Sequence, residues 1–370
     1  MKSLNAELAR AQPGTLPATL PIDPPARAAP APGLTVIVPA YNEAGCVGDT
    51  LASLLAQTLK PAEIILVDDG STDGTGDIGR RLGVTVLRPP VNTGSKAGAQ
   101  NFALDHVHTE LVMAIDADTT LEPDAVEKLA ACFTAPDIGA ACGFVLPRRV
   151  QSLWERGRYI EYLFAFTFYK PVQDYYRRPL ISSGCFSVYR TELMRAFGGW
   201  PSRTLAEDMD LTWCLHQAGI GVRFEPRAIC YPIEPYDFHF MRKQLHRWSH
   251  GFVQNVALHW RGLLEVPYLR SAVTVALWDA VVASLAFLVL IPLLALLLQT
   301  PWVLLAYLID APAIIVPLLA GAIPRREVGR MLASLPAFFV LRLVNALFFL
   351  EAVWSEWVLR RRTRVYHKGH

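Results

Sequence analysis

The sequence of 370 residues lacks several features that mark other classes of protein. Its six cysteines form no CxxC pair and no Cys/His cluster at zinc spacing, which favours reduced thiols over a disulfide framework or a zinc site. The formal net charge is only +2, and no basic stretch is interleaved with aromatic residues. We therefore expect no nucleic-acid partner.

The first 33 residues contain no long apolar run, so we expect neither a signal peptide nor a leading transmembrane helix there. This segment is instead rich in proline and alanine. Such a composition buries too little surface to offset the entropy lost on ordering. The sequence therefore predicts a disordered or partly extended tail over residues 1–33.

Hydrophobic residues make up 52% of the chain, and the excess is concentrated in its last third. A C-terminal membrane region is predicted over residues 256–370, with transmembrane or interfacial helices at about 280–299, 302–323 and 331–358, because a span needs roughly 20 apolar residues. Arginines follow the second and third of these segments, which favours the cytoplasm for both positions. Two spans with an interfacial third segment, or three full spans, remain as alternatives. Arg342, Asn345 and Glu351 are expected to face protein or a polar path.

Between residues 34 and 145, short apolar strands alternate with amphipathic helices, which is typical of an α/β domain with a mostly parallel sheet. Ligands bind such sheets at the carboxyl ends of the strands. Polar clusters follow three of the predicted strands: Tyr41-Asn-Glu43, Asp68-Asp69 and Asp116-Ala-Asp118. An aromatic and basic stretch over residues 150–178 predicts a helix, either at a membrane surface, along a sugar groove, or simply packed.

Three motifs carry candidate chemistry. Two carboxylates one residue apart, as in Asp116-Ala-Asp118, suit a hard divalent cation that neutralises a diphosphate. Glu207-Asp208 offers a base for an acceptor hydroxyl, although acids also favour the first turn of a helix. Gln244-Leu-His-Arg-Trp248 offers an arginine for a departing diphosphate and a tryptophan face for a sugar ring, although it also suits a basic helix face near a bilayer.

Taken in order, these motifs resemble those of the family 2 inverting glycosyltransferases, and among them the bacterial polysaccharide synthases that make chitooligosaccharide, poly-N-acetylglucosamine, hyaluronan and cellulose. The resemblance covers residues 34–255 and implies a GT-A catalytic domain. The matching stretches are Pro39-Ala-Tyr-Asn-Glu43, Val67-Asp-Asp-Gly-Ser71, Ser95-Lys-Ala-Gly-Ala-Gln-Asn101, Asp116-Ala-Asp118, Ser183-Gly-Cys185, Glu207-Asp208 and Gln244-Leu-His-Arg-Trp248.

The resemblance also implies roles for the matching residues. Nucleotide-sugar binding falls to Tyr41, Glu43, Asp68, Asp69, Lys96 and Asp116. Asp118 is the expected ligand of Mg²⁺ or Mn²⁺, and Asp208 is the expected catalytic base. Acceptor and diphosphate contacts fall to Glu207, Gln244, Arg247 and Trp248. Ala206 and Leu245 depart from the usual synthase pattern, which leaves the handling of the acceptor open.

The function expected from this resemblance is sugar transfer from a nucleotide-sugar, such as a UDP-sugar, to a growing oligo- or polysaccharide or a lipid-linked glycan. The expected location is the cytoplasmic membrane, with the catalytic domain in the cytoplasm and membrane lipid, a second copy or an export protein as further partners. Two alternatives stay open: a single-step transferase to polyprenyl phosphate, and a catalytically idle membrane scaffold of glycosyltransferase descent.

Overall fold

The structure is a computed structural model that describes residues 31–363 of the chain. The predicted tail therefore lies almost entirely outside the described residues, and its last part, from Ala31, belongs to the first strand. The eight strands and helices that the sequence predicts up to residue 145 all appear with ends shifted by a few residues, and the structure adds a helix over Thr75–Arg81 and a two-residue strand over Thr120–Leu121.

Eight strands form one mixed sheet in the order β3-β2-β1-β4-β7-β6-β8-β5. Four of the seven pairings are parallel, as the alternation of strands and helices predicts, and the antiparallel ones all involve β7 or β5. The strands are β1 (Ala31–Ala40), β2 (Glu63–Asp68), β3 (Thr85–Leu87), β4 (Thr109–Ile115), β5 (Thr120–Leu121), β6 (Ile138–Val145), β7 (Phe186–Arg190) and β8 (Gly221–Tyr231).

Helices cover both faces of this sheet and then continue into the apolar C-terminal region. They are α1 (Val47–Leu55), α2 (Thr75–Arg81), α3 (Lys96–Leu104), α4 (Ala125–Ala130), α5 (Leu153–Phe164), α6 (Lys170–Tyr175), α7 (Thr191–Ala196), α8 (Glu207–Gln217), α9 (Phe238–Glu265), α10 (Pro267–Leu277), α11 (Ile291–Leu297), α12 (Ala311–Ala322) and α13 (Val328–Val353). The domain boundary expected at residue 255 falls inside α9.

Side-chain hydrogen bonds fix the starts of the helices that border the cavity described below. The Ser95 hydroxyl accepts a hydrogen bond from the Gly98 amide, which begins α3 at Lys96. Asp237 caps α9 in the same way, through the Phe240 amide. Ser152 and Glu155 form a reciprocal capping box at the start of α5. Local sequence therefore determines where Lys96 and the Gln244–Trp248 segment stand relative to the sheet.

Three helices in the described part of the chain are long and apolar enough to cross a membrane: Tyr268–Leu297, Pro301–Ala322 and Val328–Val358. They coincide with the three segments predicted from the sequence, although the first begins earlier. The third differs from the others because one of its faces is buried along most of its length. That face consists of Met331, Ser334, Ala337, Phe338, Leu341, Ala346 and Ala352.

The buried face of the third helix packs against the α/β domain and the helix that follows it, chiefly against α5 and α9. Gly157 of α5 allows this close crossing, because a Cβ there would lie 3.0 Å from the Ala337 carbonyl oxygen. Arg342 forms an ion pair with Asp310 at 2.6 Å, and Asn345 donates to Glu161. Both polar side chains thus face protein, as the sequence predicts.

The aromatic and basic stretch forms a nearly continuous helical segment from α5 to α6, joined by a π-helical turn over Ala165–Tyr169. Tyr159, Ile160 and Leu163 are buried in the main core, so this segment is in large part a packed helix. Tyr162 of the same segment lines the cavity described below. The segment is thus packed on one side and lines a cavity on another, and its role in a sugar groove stays a prediction.

Candidate active site

A cavity of about 530 Å³ opens at the carboxyl ends of β1, β2 and β4 and is closed on one side by α9. These three strands are neighbours in the sheet, so the polar residues that follow them meet at one edge, where α/β sheets bind ligands. Nine residues that the sequence singles out line the cavity: Tyr41, Glu43, Asp69, Lys96, Asp116, Asp118, Gln244, Arg247 and Trp248.

The segment after β1 is fixed to the segment after β2 by hydrogen bonds. The Asn42 amide donates to the Ser71 hydroxyl at 3.0 Å, and the Glu43 amide donates to the Thr75 hydroxyl at 2.8 Å. Asn42 has a φ of 55°, a left-handed conformation that asparagine tolerates better than most residues. These bonds hold Tyr41 and Glu43 at the rim of the cavity.

The two adjacent aspartates after β2 have different surroundings. Asp69 lines the cavity, and its carboxylate accepts hydrogen bonds from the amide and the hydroxyl of Thr93, each at 2.8 Å. Asp68 is buried away from the cavity lining, where Arg88 pairs with it at 2.8 Å and the Ser71 amide donates to it. Of the two, only Asp69 is placed to contact a ligand directly.

Lys96 connects three parts of the site. Its ammonium group forms an ion pair with Asp116, lies 3.8 Å from a carboxylate oxygen of Glu207, and donates to the Gly184 carbonyl at 2.9 Å. Burial raises the pKa of Glu207, and the charge of Asp208 adds to this effect while Lys96 opposes it. Glu207 does not line the cavity, so it contributes to the site through Lys96.

Asp208 lies in the first turn of α8, beside the Lys96 contact rather than in the cavity lining. Its Oδ2 accepts a hydrogen bond from the Gly184 amide at 2.9 Å, and its Oδ1 accepts one from the Met209 amide at 2.8 Å. A Cβ at position 184 would lie 3.0 Å from Oδ2, so glycine is what allows this approach. Gly184 thus links Asp208 to Lys96, because its amide donates to Asp208 and its carbonyl accepts from Lys96.

A buried arginine that sequence reasoning missed supports the Gln244–Trp248 segment. Arg158 of α5 is fully buried, donates to Gln244 Oε1 at 2.7 Å, and places its guanidinium 4.5 Å from the centre of the Trp248 ring. It also forms an ion pair with Glu161. The sequence indicated only that Arg158 lies in the aromatic helix. The segment that it contacts lies more than 80 residues away in the sequence, so no local motif connects the two.

Glu234 is a second residue that sequence reasoning missed. It follows β8, lines the cavity, accepts a hydrogen bond from the Tyr162 hydroxyl at 2.8 Å, and lies 3.4 Å from Arg158. Burial raises the pKa of Glu234 to about 7, Arg158 opposes the shift, and the charge of Asp118 adds to it. Glu234 thus adds a further carboxyl group to the lining of the cavity, in addition to those of Asp116 and Asp118.

A separate buried network joins α8 to α9. Asp210 is fully buried, accepts two hydrogen bonds from Arg203, and accepts one from His259 Nε2 at 2.8 Å. Asp210, Cys214 and His259 each place one potential ligand atom within 4.8 Å of the others. Burial raises the pKa of the Cys214 thiol to about 12, and Arg203 already neutralises Asp210. The arrangement is therefore satisfied as a polar bridge between the two helices.

The architecture is that of the GT-A glycosyltransferases. The mannosyltransferase PcManGT of Pyrobaculum calidifontis, solved in complex with GDP-Man and Mn²⁺, superposes with a TM-score of 0.58 over 90% of this chain and 92% of that one, at 21% sequence identity. At this identity the likeness establishes the fold alone. It confirms the fold class that the sequence predicts.

Residues 35–198, a little under half of the chain, match the family model described as glycosyl transferase family 2. The poly-beta-1,6-N-acetyl-D-glucosamine synthase of Staphylococcus epidermidis is 30% identical over 224 residues, which are 59% of this chain and 54% of that protein. The synthase of the same name from Staphylococcus aureus is 28% identical over 223 residues, with the same shares covered. The chain thus spans about half the length of these relatives, and the expected resemblance to polysaccharide synthases is confirmed.

Proposed function

We propose that the chain is a membrane-bound inverting glycosyltransferase that moves a sugar from a nucleotide-sugar to a glycan acceptor. One observation carries the proposal: a single cavity collects two carboxylates at Asp116 and Asp118, a guanidinium at Arg247 and an indole ring at Trp248. A diphosphate needs cations and an arginine, and a sugar ring stacks on an aromatic face. Neither the packing of a helix nor the formation of a surface turn would require these groups to meet around one cavity.

The residues present fit a divalent cation at the carboxylate pair. Asp116 and Asp118 offer the hard oxygen ligands that Mg²⁺ and Mn²⁺ accept, and both line the cavity. When bound there, the cation supplies neutralising charge for the diphosphate. Lys96, already paired with Asp116, adds a second positive charge at the same wall of the cavity.

The remaining roles combine position in the cavity with the family resemblance, which alone assigns the role of base to Asp208, since Asp208 does not line the cavity. Tyr41 and Asp69 stand at the rim after β1 and β2, where the nucleotide would be held. In the reaction, the acceptor hydroxyl oxygen forms a bond to the anomeric carbon while the bond from that carbon to the diphosphate oxygen breaks. Asp208 takes the hydroxyl proton, and the diphosphate leaves towards Arg247. One displacement of this kind inverts the anomeric centre.

The donor and acceptor are proposed from the relatives. Both Staphylococcus proteins are synthases of a polymer of N-acetylglucosamine, which makes UDP-N-acetylglucosamine the first donor to test, with uridine diphosphate taken from the family resemblance. The acceptor would be a growing oligo- or polysaccharide or a lipid-linked glycan. A second copy of the chain, or an export protein, would then be needed to carry a long product across the membrane.

We further propose that Tyr268–Leu297 and Pro301–Ala322 cross the cytoplasmic membrane, while Val328–Val358 lies along its surface beneath the catalytic domain. The buried face of the third helix supports this arrangement, because a lipid-surrounded span would not pack against α5 and α9 along most of its length. Two spans also keep the basic residues at 325–330 and 360–362 on one side, the cytoplasmic one, together with the catalytic domain.

The test is release of nucleoside diphosphate by detergent-purified protein, measured with a panel of UDP- and GDP-sugars and with Mg²⁺, Mn²⁺ or chelator. We expect one donor to give metal-dependent turnover, and the Asp118→Asn variant to lose it. Asp105→Asn, an exposed surface change, is the matched control and should behave as wild type.

Acceptors separate the alternatives within the same assay. Transfer to polyprenyl phosphate with a single sugar added would indicate the single-step transferase, whereas extension of an oligosaccharide primer would indicate a synthase. Absence of turnover with every donor, metal and acceptor would contradict the proposal and favour the scaffold.

A further inference from the structure

A cluster of two histidines and a glutamate lies where the catalytic domain meets the third apolar helix. His246 and His250 stand four residues apart on α9, so they share one face of the helix, and Glu351 reaches them from α13. One nitrogen from each imidazole and one carboxylate oxygen lie within 4.8 Å of one another. The centres of the two imidazole rings are 4.2 Å apart, and His246 Nε2 lies 3.9 Å from Oε1 of Glu351.

His250 has the hydrogen bonding of a metal ligand. Its side chain is 2% exposed, and its Nδ1 lies 2.9 Å from Glu356 Oε1. Its Nε2 is buried and has no hydrogen-bond partner within the described residues 31–363. A buried polar atom without a hydrogen-bond partner lowers the stability of the folded state by about 1–3 kcal/mol. Such atoms are therefore rare in native proteins and are often explained by an ion or a functional role. With the proton on Nδ1, Nε2 keeps a free lone pair.

Glu356 fixes that tautomer. The same Oε1 atom accepts hydrogen bonds from Gln254 Nε2 at 2.7 Å and from the Thr363 amide at 3.0 Å. Its partners are thus donors, which suits a carboxylate, and the carboxylate in turn accepts the Nδ1 proton of His250. A carboxylate behind a histidine is the usual support of a histidine that binds a metal, because it orients the ring and raises its basicity.

From this geometry we infer that His246, His250 and Glu351 bind a divalent transition-metal ion, with Zn²⁺ the preferred occupant. Two imidazoles and one carboxylate form a common zinc ligand set, and a pair of histidines four residues apart on a helix is a known way to supply two of them. Imidazole ligands distinguish this site from the all-oxygen pair Asp116 and Asp118, which suits Mg²⁺ or Mn²⁺.

The rearrangement that binding requires is small. Bonds of about 2.0–2.1 Å in a tetrahedral site place the ligand atoms roughly 3.3 Å apart, so the cluster must close by at most about 1.5 Å. Glu351 is 53% exposed and His246 is 36% exposed, so both side chains have room to turn, while His250 is already fixed. Three protein ligands leave a fourth position for water or another ligand.

Such an ion would couple the third apolar helix to the catalytic site. Arg247 and Trp248 lie between the two histidines in the sequence, and both line the proposed donor cavity. An ion held jointly by α9 and α13 would fix the helix that carries them. No Cys/His spacing in the sequence indicates this site, and its third ligand lies about a hundred residues from the histidine pair.

Metal binding itself tests the inference, without reference to activity. The full chain, carrying an affinity tag without histidine, is stripped with chelator in detergent and titrated with Co²⁺ as a spectroscopic probe. Zn²⁺ content after reloading is measured by elemental analysis. We expect one ion per chain that does not depend on Asp116 and Asp118, a Co²⁺ spectrum typical of four-coordination for that ion, and its displacement by Zn²⁺.

Variants assign the ligands. Glu351→Gln and His246→Gln should each weaken binding by more than about 100-fold, whereas Glu356→Gln, behind His250, should weaken it by roughly 10–100-fold. Because Glu351 is half exposed, its variant is expected to fold, as thermal unfolding will show. Asp118→Asn and the double change His367→Asn/His370→Asn are controls that should keep the ion. No bound ion in wild type, or binding that only the tail variant abolishes, would overturn the inference.

Discussion

Replacing Asp208 with asparagine tests the proposed chemistry most directly, because the change removes a charge and keeps the shape. General-base catalysis typically contributes about 10²–10⁴-fold to a rate, which corresponds to about 3–5 kcal/mol in the activation free energy. We therefore expect kcat for donor turnover with acceptor to fall by that factor. Binding of the nucleotide diphosphate should change little, because Asp208 does not line the cavity.

The structure also predicts a structural effect of Asp208→Asn that has to be separated from the chemical one. Each carboxylate oxygen accepts one backbone amide, from Gly184 and from Met209, and an asparagine can accept only one of them. The other amide then faces an NH₂ group, which costs about 1–3 kcal/mol of stability. Turnover must therefore be measured well below the unfolding temperature of the variant. A folded variant that binds nucleotide and keeps more than a tenth of the wild-type kcat would refute the assignment.

The remaining predictions concern stability. Asp210→Asn should lower the free energy of unfolding by about 3 kcal/mol. This value is the low end for a broken buried ion pair, because Arg203 is half exposed. Thermal unfolding of this variant beside Asp105→Asn measures the effect, and an equal Tm for both variants would contradict it. The Glu234 carboxyl has a pKa near 7 in the folded protein against an ordinary 4.5, so the folded state binds more protons between these values and loses stability as pH rises through them. The stability of Glu234→Gln relative to wild type should therefore increase by up to about 3 kcal/mol as the pH rises from 5 to 8. A difference in Tm between the two proteins that does not change with pH would contradict this reasoning.

The sequence predicts the part of the fold that depends on local patterns. Alternating apolar strands and amphipathic helices predict a mostly parallel sheet, and the strands β1, β2 and β4 lie side by side as that architecture requires. The insertion of β7 between β4 and β6, antiparallel to both, was not predicted. Strand order depends on pairings between residues about 75 apart, for which a single sequence carries no periodic signal.

The candidate site was predictable to the extent that motifs mark strand ends and helix starts. The cavity brings together nine residues expected from the sequence, but it does not include Asp68, Glu207 or Asp208 in its lining. Adjacent residues after a strand point in opposite directions, which is why Asp69 faces the cavity while Asp68 pairs with Arg88. The assigned roles of these residues stay predictions until the variants are measured.

Arg158 and Glu234 show what the motifs leave out. The Gln244–Trp248 segment stands over the cavity because a fully buried guanidinium contacts both Gln244 and Trp248 and is itself paired with carboxylates. A buried charge of this kind is stable only where its partners are held in fixed positions, since the loss of one partner leaves the other buried and unpaired. The cavity is therefore supported by α5, the same helix that packs against the third apolar helix. In this protein, the position of the Gln244–Trp248 segment and the contact with the third apolar helix depend on neighbouring residues of one helix, Arg158 and Gly157.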